Sequence, residues 1–310
     1  MKGHLFHLHL HLHLLSLTTG FFQLWTRTPY LSYSKMAFPC FYPLYSLPPL
    51  TPAELHRYSR HIVLPDCGLI GQKKLKSSSV LCIGAGGLGS PILLYLAAAG
   101  IGHLGIVDSD VVDRTNLQRQ IIHSDADVGR LKVDSARDSI LALNPSITVT
   151  SFEEELTPSN FSPIIDRNWD VVIDGTDNFP SKYLISDACE FLSLPWIYSA
   201  VQGFTGHLGV FNYGPDPISY RDFIPDPPQP GDVPSCAEGG ILGVVPGVMG
   251  VMQATEVIKI ILGLGKAVSK VIVYDAISGE TRRVGFKGDR PSGEEVRTRG
   301  KIKDYVRLDS

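Results

Sequence analysis

The chain has 310 residues, 44% of them hydrophobic and 19% charged, which is enough apolar side chain for a core and excludes a disordered polar chain. Its 28 basic and 31 acidic residues leave a net charge of −3, so no charge excess predicts binding to nucleic acid or to a membrane. Five cysteines without a C-x-x-C pair exclude a readable disulfide framework or cysteine-rich zinc module. They favour a reducing compartment, and we expect a cytoplasmic protein.

The first fifty residues differ from the rest. No Asp or Glu occurs from Met1 to Ala53, and five histidines alternate with Leu or Phe in the first thirteen positions. This composition predicts a disordered or targeting extension over residues 1–50, with a mitochondrial transit peptide, a short secretory segment or a histidine-rich metal tract as the functional alternatives. Residues 288–310 are polar and charged and predict a solvated tail. The globular domain is therefore expected over residues 51–287.

The domain opens with a strand, a glycine turn and a helix. Residues 79–83 form a short apolar run, residues 84–89 are glycine-rich, and residues 90–99 are apolar and end at Gly100. A second apolar strand is predicted over residues 103–107. A short connection between a helix and the next strand indicates a parallel βαβ unit.

Alternating elements continue along the chain. Helices are predicted over residues 132–143, 180–192 and 244–262, and strands over residues 147–152, 169–173, 196–201, 207–213 and 270–274. The last two strands alternate in polarity and look antiparallel. The pattern predicts an α/β fold with a doubly wound, mostly parallel Rossmann-like sheet and an antiparallel extension. Residues 214–240, with seven prolines, are expected to form a structureless lid or binding loop.

The glycine turn predicts a phosphate site. Gly84, Gly86 and Gly89 fit the pattern G-x-G-x-x-G between a strand and a helix, where the backbone approaches a phosphate and the helix N-terminus offers free N–H groups. Asp108, at the end of the next strand, is placed to accept the hydroxyls of a ribose. A nicotinamide dehydrogenase would share all of these features.

The residues that follow favour a triphosphate instead. Polar and charged side chains come within 25 residues of Asp108: Asp110, Asn116, Arg119, Gln120 and Lys132. Cations beside a phosphate-binding turn can neutralise a reacting triphosphate. Asp174 and Asp177, after a later parallel strand, offer hard oxygens for Mg²⁺. Each of these residues alone would more commonly be a solvated surface ion, so the prediction depends on their meeting at one sheet edge.

Further motifs join those above, so that together they occupy residues 57–64, 84–89, 108–110, 116–120, 132, 176–178, 235–243 and 250–256. In this order they resemble the motifs of the MoeB/ThiF ubiquitin-activating-type adenylyltransferases, above all the eukaryotic molybdopterin-synthase sulfurylases that also activate a ubiquitin-related modifier. The resemblance implies an enzyme that uses ATP and Mg²⁺ to adenylate the C-terminal glycine of a ubiquitin-like sulfur-carrier protein. It further implies a homodimer, and roles in molybdenum cofactor synthesis and tRNA thiolation.

The resemblance also implies site residues. It places the nucleotide on Gly84, Gly86, Gly87, Gly89, Asp108, Asp110, Thr115, Asn116, Leu117, Gln118, Arg119, Lys132, Asp177 and Asn178. Arg60 matches an arginine supplied across the homodimer interface, and Asp177 matches the aspartate associated with Mg²⁺. Cys236 matches a cysteine that bonds covalently to the activated C-terminus. A lone thiol in a long loop suits a nucleophile better than Cys82 in a strand does, although a packed, inert thiol stays open as an alternative.

The sequence departs from the family in two ways. The family holds a structural zinc with two C-x-x-C pairs, whereas Ser219 and Asp222 stand at the first pair here and no cysteine follows Cys236. We therefore expect no structural zinc. The sulfurylases continue into a rhodanese domain, so a separate sulfurtransferase or a shortened form is expected. Two other functions stay open: a tRNA-modifying, ATP-dependent dehydratase of the same superfamily, and a truncated non-catalytic binding module.

Overall fold

A computed structural model describes residues 46–215, 217–228, 239–265 and 270–285. Eight strands form one sheet: β1 Ser79–Ile83, β2 His103–Val107, β3 Thr148–Phe152, β4 Val171–Asp174, β5 Trp196–Gln202, β6 Thr205–Phe211, β7 Val271–Asp275 and β8 Thr281–Val284. Their order across the sheet is β3-β2-β1-β4-β5-β6-β7-β8.

The sheet has a parallel part and an antiparallel part. Strands β3, β2, β1, β4 and β5 pair in parallel, and β6, β7 and β8 extend the sheet in antiparallel pairs. The predicted fold class is confirmed. Strands β2 and β3 are added on one side of β1, whereas β4 and β5 are added on its other side, so the strand order switches between β1 and β4. The crevice at such a switch point is where open α/β sheets bind ligands.

Helices cover both faces of the sheet. They are α1 Pro52–Arg57, α2 Ser59–Ile62, α3 Gly68–Ser77, α4 Gly89–Ala99, α5 Lys132–Leu143, α6 Phe161–Ile164, α7 Phe179–Leu192, α8 Tyr220–Phe223 and α9 Val244–Leu262. The side chains of β1 alternate between two cores. Val80 and Cys82 pack with α4, α5 and α9, whereas Leu81 and Ile83 pack with α6 and α7.

Local chemistry sets the helix ends. Gly100 ends α4 with a φ of 83°, in the left-handed region that glycine adopts without a Cβ clash. Asn178 begins α7, because its side chain accepts a hydrogen bond from the Ser181 amide. The predicted helices match the observed ones within one residue, and the predicted strands begin or end within two residues of the observed ones.

Helix α9 is long and apolar enough to cross a membrane by length and composition, but half of that segment is buried in the fold. Met249, Gln253 and Val257 are fully buried on the side that faces α4, β5 and β6. Burial against the sheet accounts for the apolar character of this helix.

Some elements were missed by the sequence prediction. Helices α1, α2 and α3 are short and mixed in polarity, and β8 is exposed on its whole length. A signal for α1 was present, since Thr51 and Glu54 form a capping box of the S/T-x-x-E type. Short elements held by caps rather than by an apolar face give little periodicity to detect.

The prediction of a structureless loop over residues 214–240 is wrong in part. Helix α8 lies within it, and Tyr220 of this helix is fully buried among the rings of Tyr183, Trp196 and Phe211. Residues 216 and 229–238 of this loop lie outside the described residues. Because α8 is anchored in the core, the start of the loop is a fixed part of the domain.

Ser219 and Asp222, which stand at the zinc-ligand positions of the family, have another structural use. They form a capping box at α8, in which the Ser219 amide donates to the Asp222 carboxylate at 2.8 Å. Next to them, Arg221 donates two hydrogen bonds to Asp187, at 2.6 and 2.7 Å. These residues do not fit a tetrahedral zinc site, because their polar groups are engaged in capping and ion pairing.

We predict that Asp222→Ala lowers the free energy of unfolding by about 1 kcal/mol, because the carboxylate that accepts the Ser219 amide at the start of α8 is lost. Urea denaturation measures the change, with Asp66→Ala at an exposed site as the matched control. A chelator should leave the stability of the wild-type protein unchanged. A large loss of stability on chelation, or one equivalent of bound zinc, would contradict this account.

Candidate functional site

A cleft of about 350 Å³ opens at the carboxyl ends of β1, β2 and β4, at the switch point of the sheet. Its lining includes predicted site residues from five separate segments: Gly84, Gly86, Gly87, Asp108, Asp110, Arg119, Lys132, Asp177 and Asn178. A cleft of this size at this position suits a nucleotide.

The glycine turn packs directly against the end of β4. Gly84 has a φ of 98°, and a Cβ on it would lie 2.7 Å from the carbonyl oxygen of Gly175. Only glycine fits both the conformation and the contact. The turn therefore presents its backbone to the cleft beside the loop that carries Asp177.

Asp108 braces the glycine turn. One carboxylate oxygen accepts the Ala85 amide at 2.8 Å, and the other accepts the Asp110 amide at 2.9 Å. Each carboxylate oxygen can accept a second hydrogen bond. The side chain can therefore hold the turn and still accept a ribose hydroxyl from the cleft.

Lys132 begins α5 and is buried, with its ammonium group 2.6 Å from a carboxylate oxygen of Asp110. Its own amide donates to the Asp110 carbonyl at 2.9 Å. These two contacts hold the cation at the cleft wall, where an anionic ligand can compete with Asp110 for it.

Arg119 and Gln120 also lie close to the glycine turn. The Arg119 guanidinium donates to the Thr115 carbonyl at 3.3 Å, and its alkyl chain lies against Gly87. Gln120 is buried beside Gly86, and its Oε1 atom has no hydrogen-bond partner within the described part of the protein. Both side chains therefore have polar groups available at the cleft.

Asp177 and Asn178 are exposed at the cleft, after β4. The prediction that Asp174 offers oxygens for Mg²⁺ is wrong. Its carboxylate is fully buried, accepts the Thr176 amide and hydroxyl, and pairs with Lys182 at 2.8 Å. Lys182 also donates to the carbonyls of Thr176 and Ser199, so the pair fixes the loop from which Asp177 projects.

The structure does not bring every predicted residue to the cleft. The residues outside its lining are Arg60, Gly89, Thr115, Asn116, Leu117 and Gln118. Arg60 is exposed on α2, while Thr115 and Asn116 lie in the 3₁₀ turn Arg114–Asn116. Cys236 lies outside the described residues. The ligand roles of all these residues stay predictions.

Sequence reasoning missed part of the cleft wall. Ile83, Val107 and Leu156 supply apolar surface, and Glu154 and Glu155 supply acid groups. A signal existed, because residues 153–156 follow β3 and must emerge at the same edge of the parallel sheet. An apolar wall next to a ribose acceptor suits the flat face of a nucleotide base.

The charges around the cleft are unbalanced. Among the described residues in its lining, Arg119 and Lys132 are cationic, whereas Asp108, Asp110, Glu154, Glu155 and Asp177 are anionic. Lys132 is further engaged with Asp110. A polyphosphate in this cleft therefore needs cations beyond those that the lining supplies.

Comparison with known proteins finds a matching family and several relatives. A family model described as ThiF family matches residues 58–294. The chain is 49% identical over 262 residues to a probable adenylyltransferase/sulfurtransferase MoeZ of Mycobacterium tuberculosis, covering 81% of this chain and 66% of that protein. It is 46% identical over 242 residues to adenylyltransferase and sulfurtransferase MOCS3-1 of Zea mays, covering 77% and 51%.

A third relative is a probable molybdopterin-synthase adenylyltransferase of Porphyra purpurea, 48% identical over 229 residues, covering 73% of this chain and 59% of that protein. The chain thus spans between half and two thirds of the length of these relatives. Among solved structures, E. coli MccB with AMPCPP and MccA superposes with a TM-score of 0.65 at 21% identity, covering 76% and 72% of the chains. PaaA superposes at 0.63 with 25% identity, covering 76% and 84%. The likeness to MccB shows the fold alone.

The buried Asp174–Lys182 pair yields a prediction about stability. Lys182→Met should lower the free energy of unfolding by about 3–5 kcal/mol, because it leaves the Asp174 carboxylate buried without its cation. The double variant Asp174→Asn, Lys182→Met removes both charges and should recover part of the loss. Urea denaturation of both variants measures this, and equal losses in the two would show that charge burial is not the cause.

Proposed function

The chain belongs to the ThiF family, and on this premise we propose that it is a Mg²⁺- and ATP-dependent adenylyltransferase acting on the C-terminal glycine of a ubiquitin-like sulfur-carrier protein. One observation carries the proposal: the glycine turn, Arg119, Lys132 and Asp177, distant in sequence, line a single cleft. A redox dinucleotide would explain the turn and Asp108, but it would not explain a lysine and an arginine at the phosphate end.

The reaction joins the carrier's terminal carboxylate to the α-phosphorus of ATP. A carboxylate oxygen attacks, the bond to the bridging oxygen breaks, and pyrophosphate leaves with the electron pair. No general base is needed, since a C-terminal carboxylate is ionised at neutral pH. The residues of the cleft must therefore act by positioning and by electrostatic stabilisation.

Each part of the cleft has a task in this reaction. The amides of the glycine turn and the N-terminus of α4 hold phosphate oxygens, and Asp108 accepts the ribose hydroxyls. Arg119 and Lys132 stabilise the negative charge that builds up around the α-phosphorus. Lys132 would leave Asp110 as phosphate oxygens approach, because a more highly charged partner competes for the ammonium group.

Asp177 would hold Mg²⁺ together with phosphate oxygens. Within the described segments, no three His, Cys, Asp or Glu side chains gather as a metal cage. Mg²⁺ in nucleotide sites commonly uses one or two carboxylates plus substrate phosphates, so the exposed Asp177 fits this mode. When bound, the ion supplies positive charge, which the acidic lining of the cleft requires.

A further cation would come from a second subunit. We propose a homodimer in which Arg60 reaches the nucleotide of the partner subunit. Two observations support this: Arg60 is exposed and outside the cleft lining of its own chain, and the lining has more acid groups than bases.

The acyl-adenylate would serve thiocarboxylation of the carrier. The relative named as a probable molybdopterin-synthase adenylyltransferase supports molybdopterin synthase, through its small subunit, as the source of the carrier. A ubiquitin-related modifier and tRNA thiolation stay a second use that the family resemblance implies. Cys236 would take up the activated C-terminus, and a sulfurtransferase would supply sulfur. A cytoplasmic location stays a prediction.

Two other functions are distinguished by their partners. A tRNA-modifying dehydratase would need an extended basic surface to bind RNA, and the net charge of −3 does not favour such a surface. A non-catalytic module would bind nucleotide without chemistry, and the cations retained at the cleft argue against it.

Purified protein should catalyse ATP–pyrophosphate exchange only with the carrier present. Arg119→Ala should lower the exchange rate by about 100-fold or more, because a donor to the transition-state charge is lost. Cys236→Ser should leave exchange intact, since the thiol acts after adenylation. Nucleotide binding without exchange would support the non-catalytic module, and loss of exchange in the cysteine variant would show that its role is misplaced.

The shared site can be tested by mixing two inactive variants. In a mixed dimer of Arg60→Ala and Lys132→Ala subunits, one site keeps both residues if Arg60 acts across the interface. Doubly tagged mixed dimers should then regain about half of the wild-type exchange rate, since one of two symmetric sites is complete. If Arg60 acted within its own chain, the mixed dimers would stay as inactive as either parent.

A further inference from the structure

A buried histidine connects the glycine turn to the helix that carries Lys132. The imidazole of His123 is 7% exposed. Its Nε2 atom lies 3.0 Å from the carbonyl oxygen of Ala85, and its Nδ1 atom lies 2.8 Å from the hydroxyl of Ser135. His123 is absent from the cleft lining, so its contacts are with the supports of the site rather than with a ligand.

The two contacts fix the tautomer of the neutral ring. A carbonyl oxygen can only accept, so in the neutral ring Nε2 carries the hydrogen and donates it to Ala85, which leaves Nδ1 as the acceptor that faces the Ser135 hydroxyl. The same hydroxyl also contacts the Asp127 carboxylate. Burial lowers the pKa of His123, and the nearby Lys132 lowers it further, whereas the hydrogen bond to Ala85 and the charges of Asp108 and Asp127 act in the opposite direction. The net lowering favours the neutral ring, in which both nitrogens face a hydrogen-bonding group.

These contacts close a circuit around the phosphate end of the cleft. The amide of Ala85 donates to Asp108 at 2.8 Å, and Asp108 accepts the amide of Asp110 at 2.9 Å. Asp110 in turn holds Lys132 at 2.6 Å. Lys132 and Ser135 share the first turn of α5, and Ser135 leads back through His123 to Ala85.

We propose that His123 is a positioning residue that sets the distance between the glycine turn and Lys132. The inference rests on the proposed function and deepens it, because it says what fixes the relative positions of the glycine turn and Lys132, the two groups that would hold the triphosphate. Without His123, the Ala85 carbonyl loses its buried donor. The remaining hydrogen-bonded path from the turn to α5 runs through the carboxylates of Asp108 and Asp110. Those carboxylates are also the groups that ATP and its ribose would engage.

Small displacements at this point matter. A shift of the reacting groups by about 1 Å can slow a reaction on the order of 100-fold, because attack geometry is lost. The same shift would weaken binding of the nucleotide in the ground state, since the turn and Lys132 would no longer meet the same phosphates.

Two substitutions separate the two hydrogen bonds. The amide group of Asn sits near the position of Nδ1, and that of Gln sits near the position of Nε2. His123→Asn should keep the Ser135 contact and lose Ala85, whereas His123→Gln should keep the donor to Ala85. His103→Asn, at the far end of β2 where His103 contacts Thr150, is the matched control.

Calorimetric titration of ATP and steady-state exchange should both be measured. His123→Asn should raise the dissociation constant and the KM for ATP about 10-fold or more and leave the KM for the carrier unchanged, because the displaced group is at the phosphate end. His123→Gln should stay within about threefold of wild type, and His103→Asn should bind ATP normally. A merely structural defect would instead reduce the active fraction at unchanged KM.

The outcomes are separable. Equal ATP affinity in wild type and folded His123→Asn, or equal losses in the Asn and Gln variants, would overturn the inference. If the Asn variant does not fold, Ser135→Ala weakens the same circuit and should raise the KM and dissociation constant for ATP severalfold. Absence of exchange in the wild type would refute the proposed function, while the ATP titrations would still test His123.

Discussion

At the carboxyl ends of β1 and β4 the backbone of Gly84 lies so close to Gly175 that a Cβ on residue 84 would stand 2.7 Å from the Gly175 carbonyl oxygen. The Gly175 amide also donates to the Ile83 carbonyl at 2.7 Å. This backbone contact places the glycine turn beside the loop that bears Asp177, at the switch point of the sheet. The cleft, its phosphate end and its candidate metal position all depend on that approach.

The second constraint is charge. The two buried lysines Lys182 and Lys132 are each held in an ion pair, with Asp174 and with Asp110, since an unpaired charge away from water is costly. The Lys182 pair is complete and serves structure. The Lys132 pair opens to the cleft, where a stronger anion can displace the carboxylate. The lining of the cleft has more acidic than basic side chains, so binding of the anionic nucleotide requires added positive charge. In the proposal, the metal ion and Arg60 of the partner subunit supply that charge.

Stable supports surround the open cleft. One core lies on each face of the sheet, α9 spans one face with a fully buried side, and α8 fixes the start of the long proline-rich loop. The polar groups that support the cleft are joined by short hydrogen bonds through Asp108 and His123. Preorganised groups of this kind lower the cost of rearrangement during a reaction, which suits catalysis by positioning and electrostatics.

The sequence by itself determined the sheet class and the parallel order of the first elements, because apolar periodicity and a glycine turn between strand and helix are local patterns. It also predicted site residues, of which Asp108, Arg119 and Lys132 are among those that the fold brings to one cleft, while their ligand roles stay predictions. It also indicated the altered chemistry at Ser219 and Asp222. Only the tertiary structure decided which carboxylate is free. Asp174 and Asp177 look alike in sequence, but Lys182 and the fold bury one and expose the other. The tertiary structure also revealed that His123 links the glycine turn to α5, since hydrogen bonds between distant segments produce no periodic pattern in the sequence.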